Sequence, residues 1–156
     1  MHLAPQEIRT FFITSVTNGR RPILRTHGMA ILLIDVLQEN RTKNRFLLHE
    51  FVIMPDHIHL ILTPATDVPL EKAVQYIKGG FSFRAKRELG FTNLIWQESF
   101  TNHRIRDAED YAHHQDYIQQ NPVRAGLAKT SLKYPYSSVS PGAICDPKPP
   151  WLKPEI

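Results

Sequence analysis

Two histidines separated by one apolar residue lie in the run Met54-Pro-Asp-His-Ile-His-Leu-Ile-Leu62. The residues that follow the Pro55-Asp56 turn are typical of a strand, in which alternate side chains point to the same face. His57 and His59 would therefore project side by side, about 6.6 Å apart along the strand. Two imidazoles in this arrangement can bind one divalent metal ion. The same spacing also fits two surface histidines that alternate with core residues.

A second pair of polar residues is Tyr117 and Asn121, four residues apart in a predicted helix and so on one helix face. A tyrosine hydroxyl is a weak nucleophile at its ordinary pKa of about 10, and becomes useful when a metal polarises the phosphate that it attacks. An asparagine carbonyl oxygen suits a hard metal such as Mg²⁺. Ordinary packing of Tyr117 and helix capping by Asn121 are the alternatives.

Taken together, the two pairs resemble the single-tyrosine HUH transposases, and within them the REP-associated tyrosine transposases. MPDHIHL followed by YIQQNPVRAGL is far more specific than either motif alone. The similarity covers about residues 11–138. The matching stretches are Phe51–Leu62, Tyr76–Gly79, Trp96-Gln97, Ile105-Arg106, Tyr117–Leu127 and Tyr134–Ser138.

The resemblance implies a role for each of these residues. His57 and His59 would be the histidines of the HUH motif, Tyr117 the nucleophile, and Asn121 the third protein ligand of a divalent metal, Mg²⁺ or Mn²⁺. The substrate would be single-stranded DNA beside the hairpins of repetitive palindromes, cleaved and rejoined through a 5′-phosphotyrosine. Metal affinity would fall at low pH as both histidines protonate near their unperturbed pKa of about 6.5.

Two other functions stay open at this point. One is a hydrolytic nuclease in which the metal activates water and Tyr117 is structural. The other is a non-enzymatic protein that binds nucleic-acid hairpins. The second is disfavoured because His57 and His59 occupy the central-strand positions where an RNA-recognition module carries stacking aromatic rings.

Basic residues supply the candidate phosphate contacts. The formal charge of +4 and the pI near 9.3 favour an anionic partner without choosing its class. For each basic residue, a solvated surface charge explains it about as well. Trp96 and Phe100 are better explained by core packing than by base stacking. The residues selected as DNA contacts are Arg84, Lys86, Arg87, Arg104, Arg106 and Arg124.

The elements that must position these residues follow the order β-α-β-β-α-β, with a further helix after an Asp107 cap. This order predicts an α+β fold: the ferredoxin-like split βαβ antiparallel sheet with helices on one face, plus a C-terminal catalytic helix. We expect that helix to break at Asn121-Pro122, because a residue before proline avoids the helical conformation. The predicted strands are 11–17, 46–54, 57–63 and 94–100, and the last of them could extend to 105. The other predicted helices are 23–40 and 70–89.

Composition indicates one domain of ordinary size. We expect a catalytic domain at residues 1–140 and a proline-rich tail at 141–156, packed on the surface and able to cover the catalytic face. One cysteine excludes a disulfide within the chain. The first residues lack a signal-peptide pattern, and no apolar run approaches the roughly 20 residues that span a bilayer. A cytoplasmic monomer or homodimer with no membrane association is the resulting expectation.

Overall fold

The computed structural model describes residues 8–152, so the first seven residues and the last four of the predicted tail lie outside the described part. Within residues 8–152, four strands and three α-helices follow one another along the chain. They are β1 (Thr10–Val16), α1 (His27–Thr42), β2 (Phe46–Ile53), β3 (His57–Pro64), α2 (Leu70–Leu89), β4 (Thr101–Ile105) and α3 (Ala108–Arg124). No helix within residues 8–152 is long and apolar enough to cross a bilayer.

The strands form one antiparallel sheet in the order β2-β3-β1-β4. This order and these directions are those of the ferredoxin-like split βαβ fold, so the predicted fold class is confirmed. The central strands β1 and β3 pair in a register that sets Thr14 opposite His59 and Val16 opposite His57. The two histidines therefore lie at the middle of the sheet rather than at its edge.

Both faces of the sheet are covered. Ile58, Leu60 and Leu62 of β3 point into the larger core, which α1 and α2 complete. The side chains between them point to the opposite face, where Ile61 joins a smaller core with Ile118 of α3. The alternation predicted for β3 is thus confirmed, and α3 lies over the face that carries His59.

The fourth strand is shorter and later than predicted, because residues 94–100 are not strand. Ile95 and Trp96 are buried in a loop that packs in the α1/α2 core. The indole Nε1 of Trp96 donates to the carbonyl of Lys78 at 3.2 Å. These residues are apolar because they fill the space beneath α2, not because they pair in the sheet. The expectation that Trp96 packs in the core is confirmed.

Two predicted helix boundaries are also wrong. A separate 3₁₀ helix occupies Ile23–Arg25, and α1 begins only at His27, where the Thr26 hydroxyl accepts from the amide of Met29 at 3.4 Å. The predicted break at Asn121-Pro122 does not occur, since α3 continues to Arg124. Pro122 lies close to the helix end, where its missing N–H removes one bond from the ladder.

The hydrogen-bond ladder of α3 resumes directly after that position. The amide of Ala125 donates to the Asn121 carbonyl at 3.1 Å, and the amide of Leu127 donates to the Pro122 carbonyl at 2.8 Å. At the other end of the helix, the predicted Asp107 cap is confirmed by a 2.8 Å bond from the Asp110 amide. Tyr117 and Asn121 therefore share one uninterrupted helix.

The C-terminal segment follows the outer edge of β2. The Ile53 amide donates to the Tyr136 carbonyl at 2.8 Å, and the Asp146 amide donates to the Leu48 carbonyl at 2.7 Å. The Asp146 carboxylate also accepts two bonds from the Arg41 guanidinium, at 3.0 and 3.1 Å. The segment is thus packed against the sheet, as expected for the tail, while the domain boundary at residue 140 stays a prediction.

Candidate active site

An open cleft of about 780 Å³ lies between α3 and the sheet face that carries the histidines. Each of the four residues selected as nucleophile or metal ligand lines it, although they come from β3 and from two successive turns of α3. Two arginines also line the cleft, one in the β1–α1 connection and one in the last turn of α3. These six lining residues are His57, His59, Tyr117, Asn121, Arg20 and Arg124.

The two histidine rings meet edge-on, at a centroid distance of 4.7 Å and an interplanar angle of 71°. His57 Nδ1 lies 2.7 Å from Asp56 Oδ1, while the other carboxylate oxygen lies 3.3 Å from an Arg20 nitrogen. A carboxylate on Nδ1 orients the ring and leaves Nε2 for a ligand, which is a common arrangement around metal-binding histidines.

The His59 ring is also held at its Nδ1, by a residue of the neighbouring strand β1. Its Nδ1 lies 2.8 Å from the Thr14 hydroxyl, and its Nε2 is buried with no hydrogen-bond partner among the described residues. A buried nitrogen without a partner is costly unless a ligand satisfies it. The donor set therefore fits a metal ion, because the atom left unsatisfied is the one that a ligand histidine would present.

The protonation state of His59 fits as well. Burial, and then the neighbouring His57, lowers the pKa of His59 to about 3. The imidazole is thus neutral at physiological pH, as a metal ligand must be. For His59, the expectation of protonation near pH 6.5 is wrong, because the ring is buried among the Phe12, His57 and Tyr117 rings.

Tyr117 approaches this histidine from α3. Its ring meets the His59 ring edge-on at 5.2 Å, and the Phe12 ring at 6.0 Å. Phe12 stacks on His59 at 5.3 Å, so the three rings form one cluster. Tyr117 keeps 38% of its surface exposed, which leaves it accessible from the cleft. The Arg124 guanidinium carbon lies 5.3 Å from the Tyr117 ring centroid, within cation–π range.

The arginines and lysine selected as DNA contacts do not share one location. Arg124 lines the cleft, whereas Arg84 of α2 lies in a separate depression beside α1. Arg84 is engaged by carboxylates, at 2.6 Å from both Asp35 and Glu88. Arg87 lies beside it, and neither lines the Tyr117 cleft. Lys86, on the same helix, is exposed.

Arg104 and Arg106 belong to a different basic patch, at the end of β4. Partial burial, and then the charges of Arg106 and Arg9, lowers the pKa of Arg104. Strand alternation directs the Arg104 side chain to the face opposite His103. DNA contact by any of these residues stays a prediction.

Three residues of the site were not identified from the sequence. Thr14 and Phe12 lie on β1, and their proximity to His59 depends on the pairing register of β1 with β3. Asp56 was interpreted only as a turn residue. Its position directly before His57 is a signal that was available, because a carboxylate adjacent in sequence to a ligand histidine can orient its ring.

A family model described as "Transposase IS200 like" matches residues 10–121, which include the whole sheet and α3 as far as Asn121. The chain therefore belongs to the IS200-like transposase family. It is 34% identical over 130 residues to the REP-associated tyrosine transposase of Escherichia coli K12, covering 83% of this chain and 75% of that protein. A putative REP-associated tyrosine transposase of Haemophilus influenzae is 38% identical over 96 residues, or 55% and 54% of the two chains.

Solved structures agree with this assignment. The structure of a REP-associated tyrosine transposase bound to a REP hairpin superposes with a TM-score of 0.70 at 29% identity, covering 92% of this chain and 88% of that one. A putative transposase of Deinococcus radiodurans R1 has a TM-score of 0.55 at 21% identity, over 77% and 97% of the two chains, a likeness in fold alone. The resemblance to REP-associated tyrosine transposases is confirmed, and the protein is an enzyme of the transposase class.

The low pKa of His59 predicts an acid-dependent loss of stability in the metal-free protein. Between the folded-state pKa of about 3 and an unfolded value near 6.5, only the unfolded state binds this proton, so the free energy of unfolding falls as pH decreases. From pH 7 to pH 5 the loss due to His59 is about 2 kcal/mol. Urea denaturation with a chelator should show that His59→Gln loses about 2 kcal/mol less than the unsubstituted protein. Equal losses would contradict the prediction.

Proposed function

We propose that this protein cleaves and rejoins single-stranded DNA beside the hairpins of repetitive palindromes, with Tyr117 as nucleophile. The observation that carries the proposal is the contact at 5.2 Å between the Tyr117 ring and His59, whose Nε2 is buried and unpaired. A nucleophile candidate and a metal-ligand candidate thus meet in one cleft. Family membership supports the transposase chemistry, and the hairpin substrate is proposed from the relative solved with a REP hairpin.

The metal in this proposal is a divalent ion, Mg²⁺ or Mn²⁺, held by His57, His59 and Asn121. Nε2 of each imidazole and the side-chain oxygen of Asn121 would be the ligand atoms. Asp56 and Thr14 orient the two rings from their Nδ1 sides. When bound, such an ion supplies electrostatic stabilisation of the charge that develops on the scissile phosphate.

The chain itself then performs one substitution at phosphorus. The Tyr117 oxygen forms a bond to the phosphorus, the bond from phosphorus to the 3′ oxygen breaks, and the phenol loses its proton while the departing 3′ oxygen gains one. The product is a 5′-phosphotyrosine with a free 3′-hydroxyl. Because one phosphodiester-type bond replaces another, the reverse attack can rejoin strands without ATP. A single tyrosine allows one covalent link per site at a time.

Two arginines in the cleft are suited to hold the substrate backbone. Arg20 is 64% exposed at its side chain and bridges to Asp56, and Arg124 lies over the Tyr117 ring. Contacts of this kind make binding weaker as salt rises. The patch at Arg104 and Arg106, and the α2 residues Arg84, Lys86 and Arg87, are proposed as more distant contacts with the hairpin. The proposal includes a cytoplasmic location and a monomer or homodimer.

A labelled hairpin oligonucleotide tests this function. A DNA hairpin with single-stranded flanks carries one dye at each end, and the protein is added with Mn²⁺ or Mg²⁺ before denaturing electrophoresis. We expect a covalent adduct that carries only the dye on the 3′ side of the cut, and no adduct when a chelator is present. A fully duplex oligonucleotide of the same sequence serves as control.

Each alternative has its own outcome in this assay. Two free labelled fragments without an adduct would identify a hydrolytic nuclease and contradict the tyrosine mechanism. Binding without cleavage in either metal would identify a hairpin-binding protein. An adduct that carries the dye on the 5′ side of the cut would overturn the proposed polarity of the phosphotyrosine.

A further inference from the structure

A second group of potential metal ligands lies outside the His57–His59 pair. His103 of β4 and Asp110 and His114 of α3 each place one ligand atom within 4.8 Å of the other two. Among residues 8–152, this is the only group of three or more His, Cys, Asp or Glu side chains that converges in this way. We propose that this triad, His103–Asp110–His114, binds a second divalent ion, a transition metal such as Zn²⁺, and fastens α3 to the edge of the sheet.

The backbone sets the three side chains in position. Asp110 and His114 are four residues apart on α3 and share a helix face. His103 pairs with Phe12 across the sheet, and the His103 and His114 rings stack at 4.7 Å with an angle of 19°. Ligands from a strand and a helix would thus close a chelate between two separate elements.

Hydrogen bonds within the triad already hold its ligand atoms close together, as in a metal site that lacks its ion. His103 Nε2 lies 2.7 Å from one Asp110 carboxylate oxygen, and His114 Nδ1 lies 3.1 Å from the other. His114 Nδ1 also donates to the Asp110 backbone carbonyl at 2.9 Å. An ion would replace these hydrogen bonds without moving the ligands far apart, and the 51% exposure of the His103 side chain gives it access from solvent.

The ligand types select the class of ion. Two imidazoles and one carboxylate suit Zn²⁺, Co²⁺ or Ni²⁺, whereas Mg²⁺ prefers oxygen ligands and retains its waters. The triad should therefore discriminate against the Mg²⁺ proposed for the catalytic cleft. The inference does not depend on the proposed function, since none of the three residues has a role in that mechanism.

Occupancy of the triad would affect the catalytic helix directly. Tyr117 follows His114 by three residues, and the His114 ring lies 4.7 Å from Phe12, which itself stacks on His59. An ion at the triad would therefore fix both the first turns of α3 and the ring cluster beneath Tyr117. Its expected effect is to stabilise the arrangement of the cleft rather than to take part in the reaction.

The test uses a protein in which the catalytic histidines are absent. In the double variant His57→Ala/His59→Ala, Co²⁺ absorption and Zn²⁺ calorimetry should still show one bound ion per chain. Adding His103→Ala or the nearly isosteric Asp110→Asn should reduce Zn²⁺ affinity by more than the about 10–100-fold that loss of an outer partner costs. His113→Ala, an exposed histidine beside the triad, is the matched control and should leave affinity unchanged.

Thermal unfolding gives a second readout that does not depend on calorimetry. Zn²⁺ at about a hundredfold excess over its Kd should raise the Tm of the double variant by roughly 5 to 10 °C, and the triad variants should lose this shift. Circular dichroism in a chelator checks that each variant is folded. Absence of ion binding in the double variant would overturn the proposal, as would equal effects of His113→Ala and His103→Ala, or an equal Tm shift with Mg²⁺.

Discussion

Replacing Tyr117 with phenylalanine should abolish the covalent DNA adduct while hairpin binding persists. The substitution removes only the hydroxyl, so the ring contacts with His59 and Phe12 are retained. Loss of a catalytic nucleophile reduces rates by about 10⁴- to 10⁶-fold in well-studied enzymes, and no second tyrosine lines this cleft among the described residues. We therefore expect adduct formation to fall by at least about 10⁴-fold.

Tyr76→Phe is the matched control. This variant removes the same hydroxyl from a helix on the other face of the sheet, where the ring packs under the Arg45 guanidinium at 3.8 Å. It should form adduct at the rate of the unsubstituted protein. Adduct formation by Tyr117→Phe would assign the nucleophile to another residue, and continued cleavage without adduct would make water the nucleophile.

Alanine at either His57 or His59 should remove metal-dependent cleavage. A bound ion contributes several kcal/mol of transition-state stabilisation in metal-dependent phosphoryl chemistry, so we expect adduct formation to fall by about 10³-fold or more. Mn²⁺ binding, followed by electron paramagnetic resonance, should weaken in parallel. Hairpin affinity measured in a chelator should change little, because these residues are not proposed to contact DNA without the ion.

Asp56→Asn is a milder substitution at the same proposed metal site. It retains the size of the side chain but weakens the bond to His57 Nδ1, and loss of such an outer partner costs about 10–100-fold in metal affinity. Asp67→Asn, in the exposed loop before α2, is the control and should have no effect. If Asp56→Asn binds Mn²⁺ like the unsubstituted protein while His57→Ala does not, Asp56 serves only the turn and the proposed orienting role is wrong.

The fold was predictable because its main signals are local. The alternating side-chain directions of β3 separated Ile58 and Leu60 from the two histidines. The 20-residue α2 was predicted with its observed bounds. The errors arose where tertiary packing overrides local preference. Residues 94–100 have strand-like composition, but Ile95 and Trp96 are buried in the core under α2 instead of pairing in the sheet. Pro122 is tolerated because it lies near the end of a helix that packing already holds.

The candidate site was only half predictable for a related reason. His57, His59, Tyr117 and Asn121 were found through motif spacing, which is a property of the sequence. Their supporting residues depend on which strand pairs with which, and Thr14 meets His59 only through the β1–β3 register. His103 could not be connected with Asp110 and His114, because the strand that carries it was expected to lie mainly at 94–100.

The segment that follows α3 has a consequence for solubility. An unpaired outer strand offers backbone groups on which another chain can add, and proteins suppress this by covering the edge. Here residues 136–146 occupy the outer backbone of β2 through bonds at Ile53, Phe51 and Leu48. A chain cut after Ser140 would lose the contact of Asp146 with Leu48 and Arg41 and leave that end of β2 open. The truncated protein should self-associate through its exposed β2 edges. The tail therefore protects the protein from aggregation.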